Sequence, residues 1–324
     1  MTGKLRSPRL SIEDIGINLP SSGAPADSSS IDVLPETDPV IAAVKNALLD
    51  GYAGVILRGP PGTSKSWYAA RIAGMIAGEG RAVFVQFHPS YQYEDFIEAW
   101  VPNKSGGFEL KPKIFLQLCA SAHAEPEQVF VLVIDEISRT DAARVFGEAL
   151  TYLEMSKRNM PFQLSSGTPA VVPANIVILG TMNPWDRGVD EMDVALLRRF
   201  AQVDMSPDPE ILEEMLTANG VSRVLIDGLL QFFNALGRAS NKMLHVGHAY
   251  FSHVHDAASL ERVWEFQLRH HFQSACRLEP DELRKIEGMW SGMVGPGIRS
   301  LQSPVGEDSS AEHGPQGATP VAED

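Results

Sequence analysis

A chain of 324 residues, 44% of them hydrophobic, has the apolar content for one large or two modest domains. Its formal net charge of −14 at pH 7 excludes a protein that coats nucleic acid through a general positive field, so any contact with DNA is local or made through a partner. No apolar stretch approaches membrane-spanning length, and the two cysteines, Cys119 and Cys276, lack metal-ligand spacing, so a cytoplasmic protein with no membrane partner and with buried thiols is expected.

Residues 1–10 are basic but lack the apolar core of a secretory signal, and residues 21–30 are rich in Ser, Ala, Pro and Gly. Segment 1–38 is therefore expected to be disordered. The apolar run 54–57 then leads into Gly59-Pro60-Pro61-Gly62-Thr63-Ser64-Lys65-Ser66 and the helical pattern 67–73. Strand, glycine-rich loop and helix in that order describe a phosphate-binding loop. Closely spaced backbone N–H groups and a helix N-terminus suit a polyphosphate, while the Lys65 ammonium and the Ser66 hydroxyl reach phosphate and magnesium. Ser64 stands where the usual motif has glycine; its Cβ is expected to lower affinity without removing the site.

A second apolar run, 82–87, enters an aromatic cluster of Phe87, Tyr91, Tyr93, Phe96 and Trp100, read as packing and an oligomer surface in preference to base stacking. Lys104, Lys111 and Lys113 read as a solvated loop in preference to a nucleic-acid patch. The run 130–134 ends in Asp135 and Glu136, and acids at the carboxyl end of a strand in an open α/β sheet face the ligand crevice. Asp135 is expected to hold magnesium and its water shell, Glu136 to polarise the attacking water as general base. The run 176–179 leads to Asn183, placed to touch the γ-phosphate or that water, with Asp186 orienting water or loop and Trp185 packing beside it. The pattern 193–200 reads as a helix ending in Arg198 and Arg199. In an oligomer an arginine there reaches the next subunit's nucleotide, although a cationic helix end is also favourable to the dipole alone.

Four apolar runs separated by helical patterns indicate an α/β fold with a parallel sheet. Beyond Pro207 the strand signals fade, and helical patterns at 210–218, 222–237, 260–277 and 279–289 indicate a smaller helical domain. In it, His253, His255 and Asp256 superficially resemble a metal box, but helical or turn packing is the preferred reading. His248 supports either a nucleotide pocket or the domain's own core. The acidic stretch 299–324 is expected to be a disordered tail.

These elements, in this order, resemble the Walker A, Walker B, sensor 1 and arginine-finger elements of an AAA+ ATPase. Three further stretches, residues 86–98, residues 146–154 and Val246-Gly247-His248-Ala249-Tyr250-Phe251, resemble McrB-like members, so the resemblance covers about residues 40–290. It implies an AAA+ P-loop domain over 39–206, its parallel sheet flanked by helices, and a helical lid over 207–298. It further implies hydrolysis of ATP, favoured over GTP, with Mg2+; a homo-oligomeric ring, expected to be a hexamer; and an effector such as a McrC-like nuclease or an adaptor, in restriction or phage defence. Carried over residue by residue, it gives Lys65 and Ser66 to phosphate and magnesium, Asp135 and Glu136 to metal and water, Asn183 and Asp186 to positioning, and Arg198 or Arg199 to the trans-acting finger.

The chain departs from the family at Ser138, where Asn is usual, and at Pro184 and Trp185 in the sensor loop. The family's DNA-reading member carries a separate N-terminal recognition domain, whereas about 35 to 40 residues precede the motor here, so DNA-site selection is expected to need a partner. A small non-glycine residue before the Walker lysine also resembles RavA-like MoxR proteins. A MoxR-like protein-remodelling ATPase and a non-hydrolysing, nucleotide-gated assembly switch therefore stay open beside the motor.

Overall fold

The computed structural model describes residues 37–185 and 194–294; Asp186, nearly all of segment 1–38 and the whole tail 299–324 lie outside the described residues. The chain divides into two units, Met1–Asp38 and Pro39–Asp324, and every element below belongs to the second.

Helix α1 (Pro39–Leu49) leads to strand β1 (Gly54–Arg58), the glycine-rich loop and helix α2 (Lys65–Ala77). Next come β2 (Ala82–Gln86), a single turn α3 (Tyr93–Phe96), an antiparallel hairpin of β3 (Glu98–Pro102) and β4 (Phe108–Pro112), helix α4 (Ile114–Ala124) and β5 (Phe130–Asp135). Short helices α5 (Ala142–Phe146) and α6 (Ala149–Tyr152) and a second hairpin, β6 (Pro161–Gln163) with β7 (Pro169–Val171), precede β8 (Ile176–Met182). Helix α7 (Val194–Leu197) and β9 (Phe200–Asp204) complete this half.

Strands β2-β5-β8-β1-β9, in that spatial order, form one sheet in which every neighbouring pair is parallel. The central strands are near-continuous apolar runs because both faces of a parallel sheet are covered, and residues 130–134 of β5 are all buried. Outer strands β2 and β9 alternate instead, and Phe84 on β2 is exposed. The register sets Ile134 opposite Gly180 and Leu57 opposite Thr181, so the carboxyl ends of β5, β8 and β1 finish side by side. At Gly180 a Cβ would stand 3.2 Å from the Ile56 side chain, a tight fit in the middle strand.

The anticipated aromatic cluster is mostly core. Phe87 stacks on Tyr91 at 4.8 Å between ring centroids, and Phe96 stacks on Phe115 at 5.2 Å while meeting Phe146 edge-on at 5.0 Å. Trp100 differs, since it stands on β3 with 64% of its surface exposed. Lys111 pairs with Glu109 on the same hairpin, and both are solvated. Cys119 and Cys276 are free and buried, as expected; burial pushes the Cys119 thiol up to about 12. Among the described residues no helix is long and apolar enough to cross a membrane.

At the amino ends of β8 and β1 one buried guanidinium gathers four backbone carbonyls. Arg158 Nε donates to Leu153 O at 2.8 Å, NH1 to Pro173 O at 2.9 Å and Ile176 O at 3.3 Å, and NH2 to Ala53 O at 3.5 Å. Burial pulls its pKa down to about 10, which leaves it charged at neutral pH. Arg158→Met keeps the bulk but strands the carbonyls; we expect a loss of about 3 kcal/mol, seen as a melting temperature lower by roughly 6–12 °C. A shift under about 2 °C would show that the guanidinium is dispensable.

Two sequence expectations are corrected. The 193–200 pattern is not one helix: α7 stops at Leu197, Arg198 and Arg199 form a turn, and Phe200 opens β9, a fifth sheet strand not anticipated among the four apolar runs. The two hairpins were likewise not anticipated. The helix expected over 260–277 is α10 (Ala257–Val263) and α11 (Arg269–Ala275) joined by a π-helical stretch, Trp264–Leu268. Stacking of Trp264 on Trp290 at 4.6 Å packs that widened turn onto the last helix, α12 (Pro280–Met293).

Helices α8 (Pro209–Ala218) and α9 (Arg223–Gly237) precede α10, and Asp208 caps α8 by accepting from the N–H groups of Glu210 and Ile211. Residues 212–294 enclose a second hydrophobic core, centred on Phe232, Phe272, Ile286 and Trp290, distinct from the one under the sheet. The histidines act as packing groups: His245 Nε2 and His271 Nε2 donate to the carbonyls of Ala239 and Met243. Asp256 spends its carboxylate capping α10 through Ser259 N–H, so the apparent metal box is a helix start.

Candidate active site

The glycine-rich loop emerges from the carboxyl end of β1 and ends at the N-terminus of α2. Gly62 and Ser64 both have positive φ, 79° and 61°, so the loop makes two left-handed turns within three residues. Such turns direct successive backbone N–H groups to one side, the concavity that suits an anion. Lys65 is buried, its Nζ donating to the carbonyls of Gly59 at 2.9 Å and Pro60 at 2.8 Å, and Thr63 Oγ1 donates to Pro60 O. The ammonium is thus held against the mouth of the loop.

The acidic pair lies directly opposite. Ser66 Oγ donates to Asp135 Oδ1 at 2.7 Å, and Thr181 Oγ1 donates to the same oxygen at 2.5 Å. Thr181 in turn accepts from the N–H of Glu136 at 3.1 Å. One chain of hydrogen bonds therefore links the loop, the end of β5 and the end of β8. Hydroxyl and carboxylate oxygens within one bond of each other are the hard donors that magnesium takes, so the residues fit that ion. Sequence reasoning passed over Thr181. Its sequence signal was a hydroxyl one residue before the end of an otherwise apolar strand, and the fold buries it to 1% exposure.

Glu136 lies in the left-handed region at φ 55°, where a non-glycine residue is strained, and its carboxylate meets Arg139 Nε at 3.3 Å. The turn tips the carboxylate out of strand direction, and Arg139 fixes where it points. Asn183 is 5% exposed just past β8, and its Oδ1 accepts from Trp185 N–H at 3.2 Å. Asp186, the second sensor-loop candidate, lies outside the described residues. Trp185 lines a cavity of about 400 Å³ beside the loop, shared with Gly59, Pro60, Asp204, Phe233 and Lys242.

The helical half closes over the loop from the other side. Gly247 N–H donates to Pro61 O at 2.8 Å, Ala249 N–H to Gly62 O at 2.9 Å, and His248 Nε2 lies 3.1 Å from Ser64 Oγ. His248 thus meets the glycine-rich loop while being buried.

The two arginines are not with this group. The register pairs Phe200 with Gly54 and Asp204 with Arg58, so Arg198 and Arg199 precede the amino end of the sheet while the loop leaves its carboxyl end. Five residues of strand separate them, about 16 Å at 3.3 Å per residue. Arg198 is exposed, whereas Arg199 is 7% exposed with NH2 at 4.0 Å from Glu154 Oε2. Both line a cavity of about 520 Å³ with Asp50, Tyr52 and Lys157.

The family model for the AAA domain of the dynein-related subfamily matches residues 54–200. Over 229 residues the chain is 35% identical to the type IV methyl-directed restriction enzyme EcoKMcrB subunit of Escherichia coli K12, covering 65% of this chain and 50% of that protein. Over 188 residues it is 30% identical to the type II restriction enzyme BsuMI component YdiS of Bacillus subtilis 168, covering 45% of this chain and 55% of that protein. The chain thus spans about half the length of the curated relatives it matches.

Proposed function

The chain belongs with the McrB-like AAA+ ATPases, and from that premise we propose that it is a ring-forming nucleoside triphosphatase, ATP favoured over GTP. In this reading it couples hydrolysis to remodelling or translocation with an effector subunit in a restriction-type system. Residues 39–206 form the nucleotide-binding domain and 207–298 the lid.

The observation that carries the hydrolytic part is the hydrogen-bond chain Ser66, Asp135, Thr181, Glu136, with Lys65 at the mouth of the same loop. Residues 59–66 hold the phosphates through backbone N–H groups, with the Lys65 ammonium matching their charge. Ser66 and Asp135 would hold magnesium, which neutralises phosphoryl charge when bound. Glu136 takes the proton of the attacking water on a carboxylate oxygen, and Asn183 and Asp186 orient that water. Ring formation rests on the arginines. About 16 Å of strand keeps Arg198 from the loop of its own subunit, so a finger role requires a neighbour's nucleotide. The restriction setting rests on what both relatives are named for.

Phosphate release with ATP and GTP in parallel, over a wide range of protein concentration, tests this reading. Specific activity should rise with concentration as shared sites assemble. A constant specific activity down to the monomer would remove the ring, and nucleotide-driven assembly without release would replace the motor by a switch.

A further inference from the structure

Ser64 occupies a position that costs it energy. At φ 61° and ψ 21° its backbone is left-handed, a conformation that glycine adopts freely and other residues at a cost of order 1 kcal/mol or more. Its side chain meets one residue across the fold: His248, 184 positions further along, whose Nε2 lies 3.1 Å from Ser64 Oγ. His248 is 5% exposed, and burial holds its pKa below the ordinary value, so the ring is neutral at pH 7 despite Asp208 nearby.

The other ring nitrogen, Nδ1, is buried with no hydrogen-bond partner among the described residues. A stranded lone pair costs less than a stranded N–H, so Nε2 carries the proton and donates to Ser64 Oγ. Two backbone bonds flank the contact, from Gly247 and Ala249 to the carbonyls of Pro61 and Gly62. The approach is so close that a Cβ on Gly247 would stand 2.0 Å from the Gly62 backbone, and one on Gly62 would stand 2.6 Å from the Tyr250 ring.

We propose that His248 is a positioning residue which, through Ser64, latches the helical half onto the phosphate loop and holds the loop in its nucleotide-binding shape. Serine at 64 is then the loop's half of the latch, and its backbone strain is offset by the bond it accepts. The inference rests on the nucleotide-binding reading above.

A double-mutant cycle tests it, using Ser64→Ala, which keeps the strained backbone and removes only the hydroxyl, His248→Ala and the pair, with N-methylanthraniloyl derivatives of ATP and GTP as binding probes. Each single variant should weaken binding about three- to tenfold, the worth of one neutral hydrogen bond, and the pair should be no worse than either. His248→Gln, which restores an N–H donor near the position of Nε2, should recover most of the affinity. Melting temperatures without nucleotide run beside the titrations. A lower melting temperature with unchanged affinity, or losses that multiply in the pair, would overturn the latch. Failure of the unmutated protein to bind either probe would instead overturn the nucleotide reading on which the latch rests.

Discussion

Glu136→Gln should lower phosphate release by two to four orders of magnitude while nucleotide affinity stays within about twofold, because the change removes a base and little else. Gln is isosteric, so the left-handed turn at 136 and the backbone bond to Thr181 have no reason to move. The contact with Arg139 survives through the amide oxygen, although weaker without the charge. What disappears is the capacity to accept a proton. The paired measurement is steady-state phosphate release and a nucleotide titration on the same preparation. If release stayed within a factor of two, proton removal would have to occur at another group, and the assignment of the acidic pair would be lost.

Arg198→Ala carries the second large effect, a fall of about 10³ or more in turnover with no change in melting temperature, as expected if the proposed finger neutralises charge on a transferring phosphoryl group. The side chain is exposed beyond the amino end of β9, so its removal leaves no cavity. Arg199→Ala should behave oppositely. That guanidinium is buried against Glu154, and its loss should lower the melting temperature first. Mixing sharpens the comparison: subunits carrying Arg198→Ala retain Glu136, and subunits carrying Glu136→Gln retain Arg198. Combined, they should regain part of the activity that neither has alone. Absence of recovery, with both variants still assembling, would sink the trans assignment.

The phosphate loop, the acidic pair and the sensor strand were readable because each is a contiguous string following an apolar run, and a buried parallel strand announces itself by that run. Strand β9 was not readable. Residues 200–204, Phe-Ala-Gln-Val-Asp, alternate as an edge strand does, and the leucines and arginines before them continue a helical pattern that the fold cuts at Leu197. Hairpins β3–β4 and β6–β7 were missed because their strands are short and carry prolines at their ends. Long-range contacts were the least legible. The motif showed Ser64 as a departure with an expected penalty, but nothing local says that a histidine 184 residues away meets its hydroxyl. Thr181 was not read as a site residue, since its role depends on the register that sets it beside β5 and β1.

Strand β9 joins two things not otherwise connected. Arg198 stands two residues before its first, and Met205 to Asp208, just after its last, lead into the cap of α8 and so into the helical half whose His248 touches the phosphate loop. Five residues, hydrogen-bonded along their length to β1, act as a stiff rod between the arginine turn and the segment that enters the helical half. A push at one end is not absorbed by a flexible linker, so in the ring proposed above the grip of each subunit on its nucleotide would be mechanically in series with the site next door.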